Sequence, residues 1–358
     1  MSTNRAHAAQ PVTVTSKPFG KSLDGQRIHL YTLTAPSGMR VEIATYGATI
    51  IKLLAPDRAG RLADVTLGFG AIEPYFDRSQ YFGAIVGRYA NRIAGARFTI
   101  DGKTRRLAKN SGPNSLHGGL KGFDKHFWTA ELAGPGAIRF SRLSPDGEEN
   151  YPGNLKVAVT YTLTARNELR ISYRAQTDKP TVVNLSNHAY FNLAGAGNGS
   201  ILGHRIKIHA GRYIPVDKNS MAMGEIRKVD RTPMDLRDWT VIGDNILAAG
   251  GNPPGFDHTY VLDRWPVRRP ALAAEVWEPA SGRMLQVQTE EPGVHFYTGN
   301  FLDGALKGKR GKVYRRYDGL CLETQHFPDS PNRPHFPSTI LRPGEMYRST
   351  TVFKFSAK

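Results

Sequence analysis

The chain has 358 residues and carries 48 Lys+Arg against 31 Asp+Glu, a formal charge of +17. A basic excess of that size raises the question of a polyanionic partner, because displaced counterions favour such binding. With 40% hydrophobic and 10% aromatic residues the composition excludes a disordered chain or a mini-protein, and the one cysteine, Cys321, excludes an internal disulfide framework and a thiolate-only zinc cluster.

In chain order, residues 1–20 contain no apolar stretch of signal-peptide length and read as a flexible N-terminal extension, with 21–358 as one domain. The run GATIIKLLAP is broken by Lys52 and falls far short of the ~20 residues that span a bilayer. Spread along the whole chain are 37 glycines and 23 prolines, which leave little room for long helices. Segments 28–35, 41–55 and 62–69 are short and rich in β-branched or aromatic residues, as strands are. Phe98 and Ile100 lead into Asp101-Gly102, which predicts a hairpin over 97–107. Leu155, Val157, Val159, Tyr161 and Leu163 alternate with mostly polar residues, and Leu169, Ile171 and Tyr173 resume the pattern after Asn167-Glu168. This period of two predicts a hairpin over 154–176. Further strands are expected at 205–214, 259–263, 271–278, 283–289, 320–324 and 346–355. No 3.6-residue period is sustained, no repeat shows, and no linker divides the chain. The pattern therefore predicts an all-β protein, a large antiparallel β-sandwich.

Several chemistries have no support. There is no Gly-rich loop ending in Gly-Lys-Ser/Thr, no GxGxxG, no HExxH and no GxSxG. Eleven histidines invite a metal, yet no pair has the close spacing of a dedicated site. Lys307, Lys309, Arg310, Lys312, Arg315 and Arg316 are the best local case for nucleic acid, but only Tyr314 is interleaved as a stacking platform, and a solvated loop explains them as well.

Three histidine segments stand apart. In 110–119 a polar loop delivers His117 onto Gly118-Gly119, either as an accessible imidazole or as one bonded to loop backbone. In 184–193 three amides, His188, Tyr190 and Phe191 alternate with apolar residues; burying unpartnered amides costs about 1–3 kcal/mol each, so a polar ligand groove is the cheaper reading. In 319–328 Glu323 lies in a strand-like run, where a carboxylate is either ion-paired or functional.

Together with GRYANRI at 87–93, GFDK at 122–125, GFDH at 255–258, FYTGN at 296–300 and LRPGE at 341–345, these segments occur in an order that resembles the aldose 1-epimerase (galactose mutarotase) family over nearly the whole chain. The resemblance implies a β-supersandwich that interconverts the α and β anomers of free aldoses such as D-glucose and D-galactose, without metal or other cofactor. It implies Glu323 as the general base at the anomeric hydroxyl and His188 as the general acid at the ring oxygen. Asn91, Arg92, His117, Tyr190 and Asp257 are implied as sugar-binding groups, with Arg88 as a substitute for Arg92. Family members often carry Gln before FYTGN where this chain has His295, also assigned to the substrate. The expected partner is a small-molecule aldose, with no nucleic acid or membrane, in a cytoplasmic monomer or weak homodimer. The rival readings are a hexose-6-phosphate epimerase, a glycoside hydrolase and a sugar-binding sandwich without turnover.

Overall fold

The computed structural model describes residues 11–358, and its secondary structure is antiparallel strand with only short helical turns such as Pro74–Asp77 and Ile242–Asn245. Three sheets carry most of it. A five-stranded meander runs Thr13–Lys21, Arg27–Thr34, Arg40–Ala44, Thr49–Pro56 and Leu62–Asp64. A nine-stranded sheet is built around the hairpin Leu155–Leu163 and Glu168–Thr177, in which Leu163 faces Leu169. The last strand, Tyr347–Ala357, sits inside that sheet between Glu168–Thr177 and Arg283–Thr289, so the end of the chain completes its middle.

The third sheet has six strands and carries the site. In spatial order they are Tyr190–Phe191, Leu320–Gln325, Gly293–Tyr297, Asp257–Val261, Arg212–Ile214 and Arg227–Lys228. Alternation sorts its residues onto two faces. Leu320, Leu322, Val294, Phe296 and Tyr260 enter the main apolar cluster, which also takes Leu33, Ile43 and Leu53 from the meander and Val159, Ile171 and Phe353 from the large sheet. On the other face, cross-strand pairing sets His295 opposite both Thr259 and Glu323, and Tyr297 opposite both Asp257 and Cys321.

Four sequence expectations change. The first ten residues of the proposed extension lie outside the described residues, but Thr13–Lys21 is a strand paired with Arg27–Thr34. The 41–55 segment is two strands, because Gly47 and Ala48 take left-handed φ angles of 66° and 47° and turn the chain so that Ile43 faces Ile50. The 205–214 segment divides between sheets: Arg205–Ile208 joins the large one and Arg212–Ile214 the six-stranded one. In the basic segment Lys309 is buried, its Nζ 2.8 Å from Asp64 Oδ2 and 2.7 Å from Thr66 O, so one of its six cations is structural. Among the described residues no helix is long and apolar enough to cross a membrane.

Candidate active site

The motif glycines bring two loops together. Strand Arg92–Ile93 pairs with Ser115–Leu116, and at Gly118 a Cβ would collide with the Gly87 carbonyl oxygen, so only glycine allows this approach. The contact places His117 beside Asn91, each with a left-handed backbone. Asn91 N–H donates to His117 Nδ1 at 3.1 Å, and His117 N–H donates to Asn91 O at 3.2 Å. An Nδ1 that accepts leaves the proton of a neutral imidazole on Nε2. Burial, with like charge at His188 and Arg92, holds the His117 pKa well below its ordinary 6.5 and keeps it in that form.

His188 precedes strand Tyr190–Phe191 and is buried. Burial holds its pKa down at about 3. Its Nε2 lies 3.6 Å from Glu323 Oε1, and the ligand-capable atoms of His117, His188 and Glu323 all fall within 4.8 Å of one another. Two imidazoles and a carboxylate at such distances are a donor set that can hold a divalent ion. The His117 tautomer argues against one here, since Nε2 carries a proton and Nδ1 is engaged. The triangle instead suits hydroxyl and ether oxygens.

Two carboxylates share the cavity in opposite states. Burial and the charge of Asp257 push the Glu323 pKa up to about 8, against a smaller opposing pull from Arg92. Burial also penalises the charge of Asp257, but Arg92 and the hydrogen bond from His295 outweigh it and hold that carboxyl well below the usual range. Environments that separate two carboxyl pKa values in this way mark acid/base sites.

His295 Nε2 pairs with Asp257 Oδ1 at 2.8 Å and its Nδ1 with Thr259 Oγ1 at 2.9 Å, so both ring nitrogens are engaged within the protein. It lines the cavity but has no free nitrogen for a sugar. Asp257 Oδ2, 3.8 Å from Arg92 Nη2, has no hydrogen-bond partner among the described residues, and neither has Glu323 Oε2 or Arg92 Nε. Buried polar atoms without partners are costly. Three of them around a cavity of about 300 Å³, lined also by Asn91, His117, His188, Tyr190 and His295, mark where ligand hydroxyls would bind.

All eight sequence-predicted site residues therefore meet at one cavity. Arg88 does not join them. It is buried elsewhere, its guanidinium hydrogen-bonded to Ser144, Pro145, Pro152 and Thr181, and burial lowers its pKa to about 10. The three amides are corrected too. Asn184 bridges Ala90 O and His326, Asn187 binds Gly83 O, and Asn192 binds Gly199 O and Asp318 O, so they staple backbone and line no groove. Sequence reasoning missed Tyr81, Lys125 and Tyr297 in the lining. Tyr297 was within reach, since it lies two residues after His295 on the same strand face.

The family model described as aldose 1-epimerase matches residues 29–354. A galactose mutarotase from Sus scrofa is 49% identical over 96% of this chain and 99% of its own length. An aldose 1-epimerase from Escherichia coli is 38% identical over 94% of this chain and 97% of its own. Among solved structures, an aldose epimerase homologue from C. elegans superposes with a TM-score of 0.82 at 33% identity, covering 90% of this chain and 96% of that one.

Proposed function

The chain belongs to the aldose 1-epimerase family, and from that premise we infer how its own residues act. It is an aldose mutarotase, an isomerase that interconverts the α and β anomers of free aldoses. Its substrate is a small sugar such as D-glucose or D-galactose. The observation that carries the assignment of roles is the 3.6 Å approach of His188 Nε2 to Glu323 Oε1, with a ring nitrogen of His117 within 4.8 Å of both.

Glu323 removes the proton from the anomeric hydroxyl while His188 protonates the ring oxygen, so the C1–O5 bond breaks and the aldehyde forms. His117, with its proton on Nε2, donates to the ring oxygen as charge gathers there. After rotation about C1–C2, His188 takes the proton back from the C5 hydroxyl and Glu323 returns one to the carbonyl oxygen, as microscopic reversibility requires. The proton count closes. A Glu323 carboxylate with a His188 imidazolium holds one mobile proton between them, as does a Glu323 acid with a neutral imidazole. Ring opening converts the first arrangement to the second, and ring closure restores the first. Arg92 and Asp257 bind sugar hydroxyls through their unpartnered atoms, with Asn91 and Tyr190 completing the wall.

A phosphorylated aldose fits less well. Besides Arg92, held near Asp257, the lining offers Lys125, which is 3.4 Å from Asp124 and bonded to Leu120 O. We assign the enzyme to the cytoplasm, a reducing compartment in which the buried thiol of Cys321 persists, and treat it as a monomer or weak homodimer. The apolar cluster joining all three sheets supports one domain from residue 13 onward. Polarimetry of freshly dissolved α-D-glucose and α-D-galactose tests the reading: relaxation to the equilibrium rotation must outpace buffer. Buffer-rate relaxation together with release of phenol from an aryl glycoside would instead establish the hydrolase.

A further inference from the structure

Two tyrosine rings stack on the imidazole of His188. One is Tyr190, with ring centroids 5.0 Å apart and planes inclined by 28°. Tyr81 lies at 5.6 Å and 29° and leans on His117 as well, at 4.6 Å. The two tyrosines are anchored differently. Tyr190 is buried in an apolar cluster with Phe82, Tyr297 and Tyr314. Tyr81 is half-buried in the short connection after the helical turn Pro74–Asp77, which also brings Ser79 and Gln80 to the cavity rim. Its φ of 62° is left-handed, a conformation that costs an aromatic residue energy and tends to occur where function requires it. The connection is tied by Ala84 N–H to Tyr81 O at 3.1 Å and Phe82 N–H to Ser79 Oγ at 3.2 Å. Lys125 Nζ, also in the lining, stands 5.6 Å from the Tyr81 ring centre.

We propose that Tyr81 is a positioning residue of the proton-transfer site: with Tyr190 it clamps the His188 imidazole so that its edge meets Glu323 and the sugar, and it keeps water off the ring face. This rests on reading His188 as the general acid. With two aromatic rings stacked on it, the imidazole works through its edge, which meets Cys321 Sγ at 3.5 Å from Nδ1 and Glu323 at Nε2. The other titratable or charged groups facing it are His117, Asp257, His295 and Arg92. Removing the Tyr81 ring takes away none of these charges, although His117 loses the ring that it leans on. What changes is hydration and orientation: water on the opened face stabilises the imidazolium and raises its midpoint, and without the flat support the ring turns away from Glu323 and the sugar, which is what lowers kcat.

The experiment compares wild type, Tyr81→Phe, Tyr81→Leu and Tyr81→Ala, with the His188 ring titration followed by NMR in sugar-free protein and kcat and KM followed by polarimetry across pH. Tyr81→Phe keeps the flat ring and is expected to keep both the titration midpoint and kcat. In Tyr81→Ala the His188 midpoint is expected to rise by about one pH unit or more, and kcat to fall about tenfold or more with a smaller change in KM. Tyr81→Leu keeps apolar bulk without a flat face and should follow Ala, with near-UV circular dichroism reporting its folding. The proposal is overturned if the Ala and Leu variants keep the wild-type midpoint and kcat, if the whole loss lies in KM, or if Phe behaves as Ala. Because the titration needs no turnover, it tests the clamp even if polarimetry were to defeat the mutarotase reading.

Discussion

His188 Nε2 stands 3.6 Å from Glu323 Oε1 in a buried cavity, close enough to share a proton through a bound hydroxyl and too far for a direct hydrogen bond. Neither group is in its ordinary state. The carboxyl is raised to about 8 and the imidazole lowered to about 3, both first by burial. Ordinary side-chain types thus become a matched pair because the six-stranded sheet and the loop carrying His188 remove them from water together.

The pH dependence follows from the proton count. The working pair needs one mobile proton, which it loses as Glu323 ionises near pH 8 and exceeds when His188 protonates near pH 3. In sugar concentrations far below KM, the rate is expected to be level through neutral pH and to fall about tenfold per unit above about pH 8. Polarimetry between pH 5 and pH 10 checks this. A rate that instead climbs through pH 8 would show that an ionised Glu323 with a neutral His188 is the working form, which contradicts the acid role of His188.

Glu323→Gln should separate activity from stability in opposite directions. Losing the proposed general base is expected to lower kcat by roughly 10²–10⁴-fold with sugar binding retained, whereas a binding module without turnover would show no rate to lose. The folded-state pKa of Glu323 is raised from 4.5 to about 8, so the fold favours the protonated acid. Its contribution to stability is complete below about pH 4.5 and is lost as pH rises through about 8. A neutral amide escapes that loss. The variant should match wild type near pH 4 and exceed it at pH 9 by on the order of a few kcal/mol, read from chemical denaturation at the two pH values.

Much of this site was legible in the chain, and the parts that were not share a cause. Period-two alternation located the central hairpin, and the cost of imidazoles and a carboxylate in apolar runs singled out the segments around His117, His188 and Glu323, although only the family resemblance turned them into a reaction. Asn184, Asn187 and Asn192 were misread by the same logic: the expense of a buried amide was counted, but partners from distant backbone such as Ala90 O and Asp318 O cannot be seen in sequence. Lys309 likewise looked like one more surface cation until the fold brought Asp64 to it. Long-range pairing decides whether a polar residue is staple or tool, and local pattern does not contain it.

Asn184→Leu tests the staple reading. Asn184 ties Ala90, next to Asn91, to His326, three residues beyond Glu323, so it joins two walls of the site without entering the cavity. Its removal leaves the Ala90 and His326 carbonyls and the His326 N–H short of a partner in a buried setting. The expected cost is about 3 kcal/mol or more, from roughly 1–3 kcal/mol for each of the three groups left unsatisfied. Thermal unfolding should show a clear loss. Unchanged stability with a sharply raised KM would restore the ligand groove.

The Asp257–His295 pair gives the last test. If His295 positions Asp257, then what matters is a donor to Oδ1 and not an imidazole as such. His295→Gln, which restores the residue often found in the family, keeps an N–H within reach of Asp257 and should leave KM within about threefold of wild type. His295→Leu removes the donor, frees Oδ1 and leaves Thr259 Oγ1 unpaired. It also removes one of the influences that hold Asp257 ionised. KM is then expected to rise by about tenfold or more, since a hydrogen bond to a charged group is worth about 1.5–3 kcal/mol, while kcat falls less because Glu323 and His188 are untouched. Initial-rate polarimetry over a range of galactose concentrations separates the two constants. Equal losses in both variants would mean that the imidazole itself meets the sugar.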